Sequence, residues 1–309
     1  MNRIAGIAVA AIGLILAVLG ITKVVSGATG PGIFVVLGGI LIVALSFIKG
    51  PDPEGVERMS TGSTLVNIFF SPAEVFQNLR RHPRFLVALL LISVMTAIYG
   101  NLFLTRMGSD RITNFTIDKT LESPLVASNE QAKAQVEAGR AQALEDARSV
   151  PRRAIQAFAG FVGPLFAYSI GGAIFMVFML AMGGRMNFFQ ALSAVVYAGF
   201  PIAVIKFVLN TVLLYVKDPN DIHPILGQQS LIQDNLNFLV KASEHPVIFS
   251  FLGAFSLLAF YWLWLMATGL KNTGEKVTGT MAWTATLSAY GVLVLLGLAL
   301  AAIFPSFIS

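Results

Sequence analysis

The 309-residue sequence predicts an all-α fold, a polytopic integral membrane bundle of about seven transmembrane helices. Three observations carry this expectation. Only 12% of residues are charged, about half the fraction of an ordinary soluble domain, while 56% are hydrophobic. The charges are also segregated, leaving apolar runs near the 20 residues that cross a bilayer. Seven such runs occur, at residues 4–21, 31–48, 85–104, 154–184, 188–215, 247–270 and 280–304. The net charge of +5 sits largely beside these runs, so lipid headgroups and membrane topology account for it and nucleic acid is not an expected partner. With no cysteine, the chain has no disulfide, thiolate nucleophile or cysteine metal site.

Residues 1–50 read as a transmembrane hairpin, two runs joined by a Gly/Ser turn. Gly6, Gly13 and Gly20 recur every seven residues, a small-residue stripe for close helix contact. A cleaved signal peptide competes for residues 4–21. The 18-residue run exceeds a usual signal core and a second run follows within ten residues, so an uncleaved span is expected. Residues 51–70, punctuated by Pro51, Pro53, Gly55 and Gly62, form a polar linker.

Residues 71–309 form the main membrane domain. It opens on SPAEVFQNLRRHPR. Ser71 is a favoured N-cap, Pro72 suits the first helical position, and Glu74 completes a capping box. Phe70 and Val75 are placed for a hydrophobic staple. Pro72, Val75, Phe76 and Leu79 share one helical face, Arg80 and Arg81 complement the dipole at the C-terminus, and Pro83 stops the helix. Arg84 then leads into span three. The pattern predicts an interfacial helix on the membrane, with Val75, Phe76, Leu79, Arg80, Arg81 and Arg84 in contact with lipid.

The insert at 106–153 is rich in helix formers and predicts a solvated helix. Ser128 and Gln131 match a capping box, and Lys133/Glu137, Glu137/Arg140 and Glu145/Arg148 stand at ion-pair spacings. In span four, Gly160, Gly163, Ala167 and Gly171 fall within an arc of about 80°, predicting a helix-packing face. Span five contains Pro201, Lys206 and Asn210. Span six places Tyr261, Trp262 and Trp264 towards one end. With the N-terminus inside, the short inner segments carry Arg3, Lys49, Arg58, Arg80, Arg81, Arg84, Arg185, Lys271 and Lys276, favouring that orientation.

Catalytic patterns are sparse. His82, His223 and His245 form no zinc motif, Asp218 and Asp221 sit with His223 in a Pro-containing turn, and no nucleophile elbow occurs. No cofactor or metal is expected. Lys206 and Asn210 define a possible intramembrane polar site, since Pro201 frees a backbone carbonyl near Tyr197 and a charge within a span is a functional candidate. No carboxylate lies in any predicted span to pair with Lys206, which favours a snorkelling lysine. Asn101 and Asn210 are expected to bond between helices.

The segment SPAEVFQNLRRHPR, then GGRMNFFQALSAVVYAGFPIAV, then FYWLWLMATGLKNTGEKVTGTMAW, in that order, resembles the Yip (Ypt-interacting protein) domain family. The matching positions are Pro72 and Phe76; Gly183, Gly184, Phe189, Tyr197 and Pro201; Trp264 and Gly269. The resemblance implies a five-span bundle from residue 71 onward, with the first hairpin an addition. It resembles bacterial members in particular, implying a bacterial inner membrane, and the basic residues of the short loops favour a cytoplasmic N-terminus there. Eukaryotic members contact Rab-type GTPases through an aspartate–leucine–tyrosine–glycine–proline type sequence, which this chain lacks, so GTPase binding is not implied. The reading is of a non-enzymatic protein that organises the membrane or scaffolds membrane partners, lipids or further copies of itself. The alternative is a transporter or lipid conduit using the Pro201 break and Lys206.

Overall fold

The computed structural model describes residues 57–308 and isolated positions between 7 and 43. The predicted hairpin at 1–50 and the first part of the linker lie outside the described residues. Within them the chain is all-helical, with two isolated β-bridges and no strand.

The second half of the linker is helical. Ser60 caps α1 (Thr61–Asn67) by accepting from the Ser63 amide. The short α2 (Pro72–Arg81) follows, and then α3 (Leu86–Met107). Gly108, at φ +79°, turns the chain into the insert. There, one predicted helix is replaced by four: α4 (Ser109–Glu122), α5 (Pro124–Ala127), α6 (Glu130–Ala138) and α7 (Arg140–Arg148). The N-cap of α6 is Asn129, whose side chain accepts from the Gln131 and Ala132 amides. The predicted cap Ser128 instead donates to the Pro124 carbonyl. Of the expected ion pairs, Glu137–Arg140 forms. Lys133 pairs with Glu130, and Arg148 reaches Asp110 on α4. The i,i+3 and cross-helix geometries win because the folded-back insert brings α7 against α4.

Two long helices, α8 (Val150–Ala181) and α9 (Phe188–Val216), are joined by a tight turn. A polar connector leads through the single-turn α10 (Leu226–Gln229) to the sixth predicted span, which is not continuous. It is α11 (Pro246–Gly253) and α12 (Leu257–Thr273), separated at Ala254–Ser256. The last long helix is α13 (Gly279–Ile303). Four helices, α3, α8, α9 and α13, are long and apolar enough to cross a membrane among the described residues.

α9 is the axis of the bundle, with α3, α8 and α12 packed around it; α2 lies against α12, and α13 covers α11 and α12. From Phe188 to Pro201 every residue of α9 is buried. The outer surface is apolar. On α8, Ile170, Ile174, Val177 and Leu180 form an exposed stripe at helical spacing, and Leu293, Leu295 and Leu296 of α13 are 56–66% exposed. Such a surface suits hydrocarbon and would aggregate in water.

The glycine face predicted on α8 is only partly used. A β-carbon on Gly171 would meet Val195, and one on Gly160 would lie 3.7 Å from the Ala97 Cα. Gly163 has open space around it, and Ala167 is exposed. The closest approach is at Gly172, where a β-carbon would stand 3.0 Å from the Leu192 Cα. The contact ridge is rotated from the predicted arc because α3 and α9 approach from different sides.

Candidate functional site

Two places in the bundle gather polar groups: the end where α2 sits, and a cleft along α9. The first is assembled from the three sequence segments singled out above.

At that end α2 does not lie in lipid. Val75, Phe76 and Leu79 are each 0% exposed, packed into the main core with Leu265, Met266 and Leu270 of α12. The apolar face predicted to contact lipid is therefore covered by protein. Any lipid contact by this element falls to its polar rim, where Arg81 is exposed and Arg80 and Arg84 are half-buried. The capping box is not formed: Ser71 is the N-cap residue, but its side chain makes no cap hydrogen bond. The staple is absent too, since Phe70 is 80% exposed while Val75 is buried. Pro72 at the helix start and Glu74 in the first turn stand as predicted. α2 is held by tertiary packing, which relieves its N-terminus of the need for a local cap.

Asn78 and Gln190 do the polar work. The Asn78 Oδ1 accepts from Arg84 Nη2 at 3.0 Å and from the Met59 amide at 3.3 Å, while its Nδ2 donates to the Glu57 carbonyl at 2.9 Å. Gln190 completes a capping box with Asn187 at the start of α9 and donates to the Arg80 carbonyl at 2.8 Å, satisfying the end of α2. The Asn187-x-x-Gln190 spacing is itself a capping-box signature and was available in the sequence. Burial lowers the Arg84 pKa, opposed by the nearby Tyr197 hydroxyl and reinforced by Arg58, placing Tyr197 at the same junction. Phe85 and Phe189 stack with ring planes 6° apart.

The glycines explain how closely the pieces meet. Gly183, at φ +85°, ends α8, and the Gly184 amide reaches back to the Met179 carbonyl at 2.9 Å, a Schellman-type stop. Gly183→Ala should therefore cost about 1–2 kcal/mol through backbone strain alone, read as a lower unfolding midpoint in detergent. A β-carbon on Gly184 would meet Val277, and one on Gly269 would lie 3.1 Å from the Phe76 ring. The two loops are joined by reciprocal Arg185–Glu275 backbone hydrogen bonds of 2.7 Å, and the Arg80 side chain lies 3.5 Å from the Glu275 carboxylate. That ion pair is exposed and contributes little to stability.

The cleft runs between α3, α8, α9 and the connector, with a volume of about 430 Å³. Lys206 lines it, together with Tyr99, Tyr168, Asn210, Gln228 and Gln229. Ten residues separate Lys206 from the end of α9, about 15 Å at 1.5 Å per residue, so it lies deep in the helix. The missing counter-charge comes from the connector: Asp234 is near enough for its charge to act on the Lys206 ammonium. The connector folds back into the bundle. Tyr99 donates to the Gly227 carbonyl at 2.7 Å, and the Asn210 Oδ1 accepts from the Leu231 amide at 2.8 Å. Asn210 thus anchors the connector, in place of the interhelical bond expected of it, and Asn101 bonds within its own helix to Ala97. Irregular backbone at this depth is stable because protein groups satisfy it.

The break in the sixth predicted span has the same cause. The Asp234 carbonyl accepts from the Leu257 amide at 3.1 Å and its carboxylate from the Leu258 amide at 2.9 Å, capping α12 alongside Ser256. Asp218 caps its own turn, and His223 Nδ1 accepts from the Ile225 and Leu226 amides. Among the described residues no cluster of acids and histidines could hold a metal.

The Yip1 domain family model matches residues 66–303, which contain all three converging segments. No curated protein and no solved structure matches the chain. Family match, all-helical bundle and apolar exterior agree, and the chain belongs to the Yip1 domain family of membrane proteins.

Proposed function

We propose that this protein is a non-enzymatic organiser of the membrane, holding lipids or membrane partners on a rigid basic head at the cytoplasmic face of a bacterial inner membrane. One observation carries the reading. Three segments up to 200 residues apart lock into a single hydrogen-bonded head, and its rim carries Arg58, Arg80, Arg81, Arg84, Arg185, Lys271 and Lys276 against Glu57, Glu74 and Glu275. The opposite end, made of the insert and connector, carries acids and bases in near balance. This asymmetry supports the head facing the cytoplasm, where basic residues accumulate and anionic lipid attracts them.

The absence of native cysteine makes sidedness directly measurable. Arg81→Cys and Lys276→Cys should label only from the cytoplasmic side, and Glu145→Cys only from the other; labelling of all three from one face overturns the topology. Each basic residue removed from the rim should reduce the preference for phosphatidylglycerol around the head by about 1 kcal/mol, roughly fivefold. Arg81→Glu with Lys271→Glu, in nanodiscs of mixed lipid, tests this through lipid enrichment around the protein. No change in enrichment would remove the lipid-organising role. The second reading, a conduit, is favoured by the open cleft at Lys206.

A further inference from the structure

We propose that the cleft is a binding site for one membrane amphipath carrying a single negative charge, its phosphodiester or carboxylate head at Lys206 and its chain along α3 and α8. The proposal concerns binding, and it rests on the cleft rather than on the basic head.

The lining is graded along the bundle. Lys206, Asn210, Gln228 and Gln229 lie on the insert side of the middle of α9, where the connector folds in. Ile92, Met95 and Ile202, with Thr96 and Tyr168 among them, line the part from the middle towards the head. A site with most of its polar groups on one side and most of its apolar wall on the other matches an amphipath. It does not match an inorganic anion, which would leave apolar walls unused, or a wholly apolar molecule, which would bury an ammonium without a partner.

The charge points the same way. Lys206 makes neither a hydrogen bond nor an ion pair within 4 Å with any described residue. Asp234 acts on it only from beyond ion-pair distance, and its carboxylate accepts from the Leu258 amide at the start of α12. The Lys206 ammonium therefore lines the cleft without a partner in contact, which a small anionic head would supply and a zwitterionic one would supply together with a second cation. The volume of about 430 Å³ accommodates a head and part of one chain, within the usual range of small-molecule sites.

The test uses the full chain, purified in mild detergent, and native mass spectrometry with four probes: phosphatidylglycerol, phosphatidylcholine, palmitate and inorganic phosphate. Wild type should retain one phosphatidylglycerol or palmitate and neither of the others. The two retained probes distinguish a phospholipid head from a free fatty acid. Lys206→Gln should reduce retention at least tenfold, Lys206→Arg should keep it, and Lys241→Gln, at an exposed connector position outside both the cleft and the head, should leave it unchanged. Because Lys206→Arg preserves the charge, its retention separates loss of binding from loss of fold. As a second measurement, a brominated-chain phosphatidylglycerol should quench Trp262, which lines the cleft, in a background where Trp264 and Trp283 are phenylalanine. Equal retention of phosphatidylcholine, displacement by inorganic phosphate, or retention unaffected by Lys206→Gln overturns the proposal. A Lys241→Gln variant that loses binding as Lys206→Gln does would also overturn it, by showing that surface charge and not the cleft holds the lipid.

Discussion

Phe76→Ala should destabilise the bundle by about 3–5 kcal/mol, the range for removing a fully buried phenylalanine. Its ring is 0% exposed and lies against Gly269, where a β-carbon would stand 3.1 Å away. That closeness leaves the site little freedom to collapse around the lost ring, which places the cost towards the upper part of the range. The measurement is the unfolding midpoint in mild detergent, alongside protease cleavage between α1 and α3. Phe70→Ala is the control: Phe70 is 80% exposed, and its loss should stay within about 0.5 kcal/mol. A helix lying in lipid predicts the reverse. Phe76 would then change membrane association and leave the bundle intact, so the pair of variants separates docked from interfacial α2.

This contrast shows what the amino-acid pattern can and cannot specify. The apolar face of α2 and its ends at Pro72 and Arg81 were legible, because a proline start, a basic last turn and helical spacing act locally. What covers that face was not legible. Lipid and protein interiors are equally apolar, so Val75, Phe76 and Leu79 read the same in either. The partner is α12, almost 200 residues away. Long helices such as α3, α9 and α13 were predicted nearly to their ends, since uncharged length is a property of the run itself. The break between α11 and α12 had no comparable local signal. Residues 247–270 are uninterrupted by charge or proline, and the chain stops being helical there because Ser256 and, from another segment, Asp234 together cap a new start at Leu257.

The polar features of the cleft divide in the same way. Lys206 stood out because a charge within a span is unusual, and Pro201 beside Tyr197 suggested an interruption. The reading of Lys206 as a snorkelling residue rested on finding no carboxylate in the spans. The acid was absent from the spans and present in the connector, which re-enters the bundle through Tyr99 and Asn210. Ile222 and Leu231, buried at 2% and 7% exposure, were the available hint that this stretch is not a free loop. Their spacing matches neither a helix nor a strand, and it acquires meaning only once α3 and α9 stand beside it.

Asp234 is consequently the residue whose replacement should have the widest effect for its position in a connector. Asp234→Ala removes the acceptor for the Leu258 amide and the charge that acts on Lys206. Loss of a helix cap costs about 0.5–2 kcal/mol, and coupled neighbours add interaction terms of about 0.5–3 kcal/mol. The expected total is about 2–4 kcal/mol, read as a lower unfolding midpoint and faster proteolysis of the connector. Asp234→Asn separates the two contributions, because an asparagine oxygen still accepts from the Leu258 amide while the charge is gone. The charge contribution should then vanish in a Lys206→Met background, where no ammonium remains to be balanced. If Asp234→Asn costs the same with Lys206 and with methionine, the two residues are uncoupled, and the connector holds its place through Tyr99, Asn210 and the helix cap alone. If instead the cost appears only when the lysine is present, the re-entrant connector serves two purposes at once: it starts α12 part-way along the bundle, and it makes a cation within a long apolar helix tolerable at the wall of the cleft.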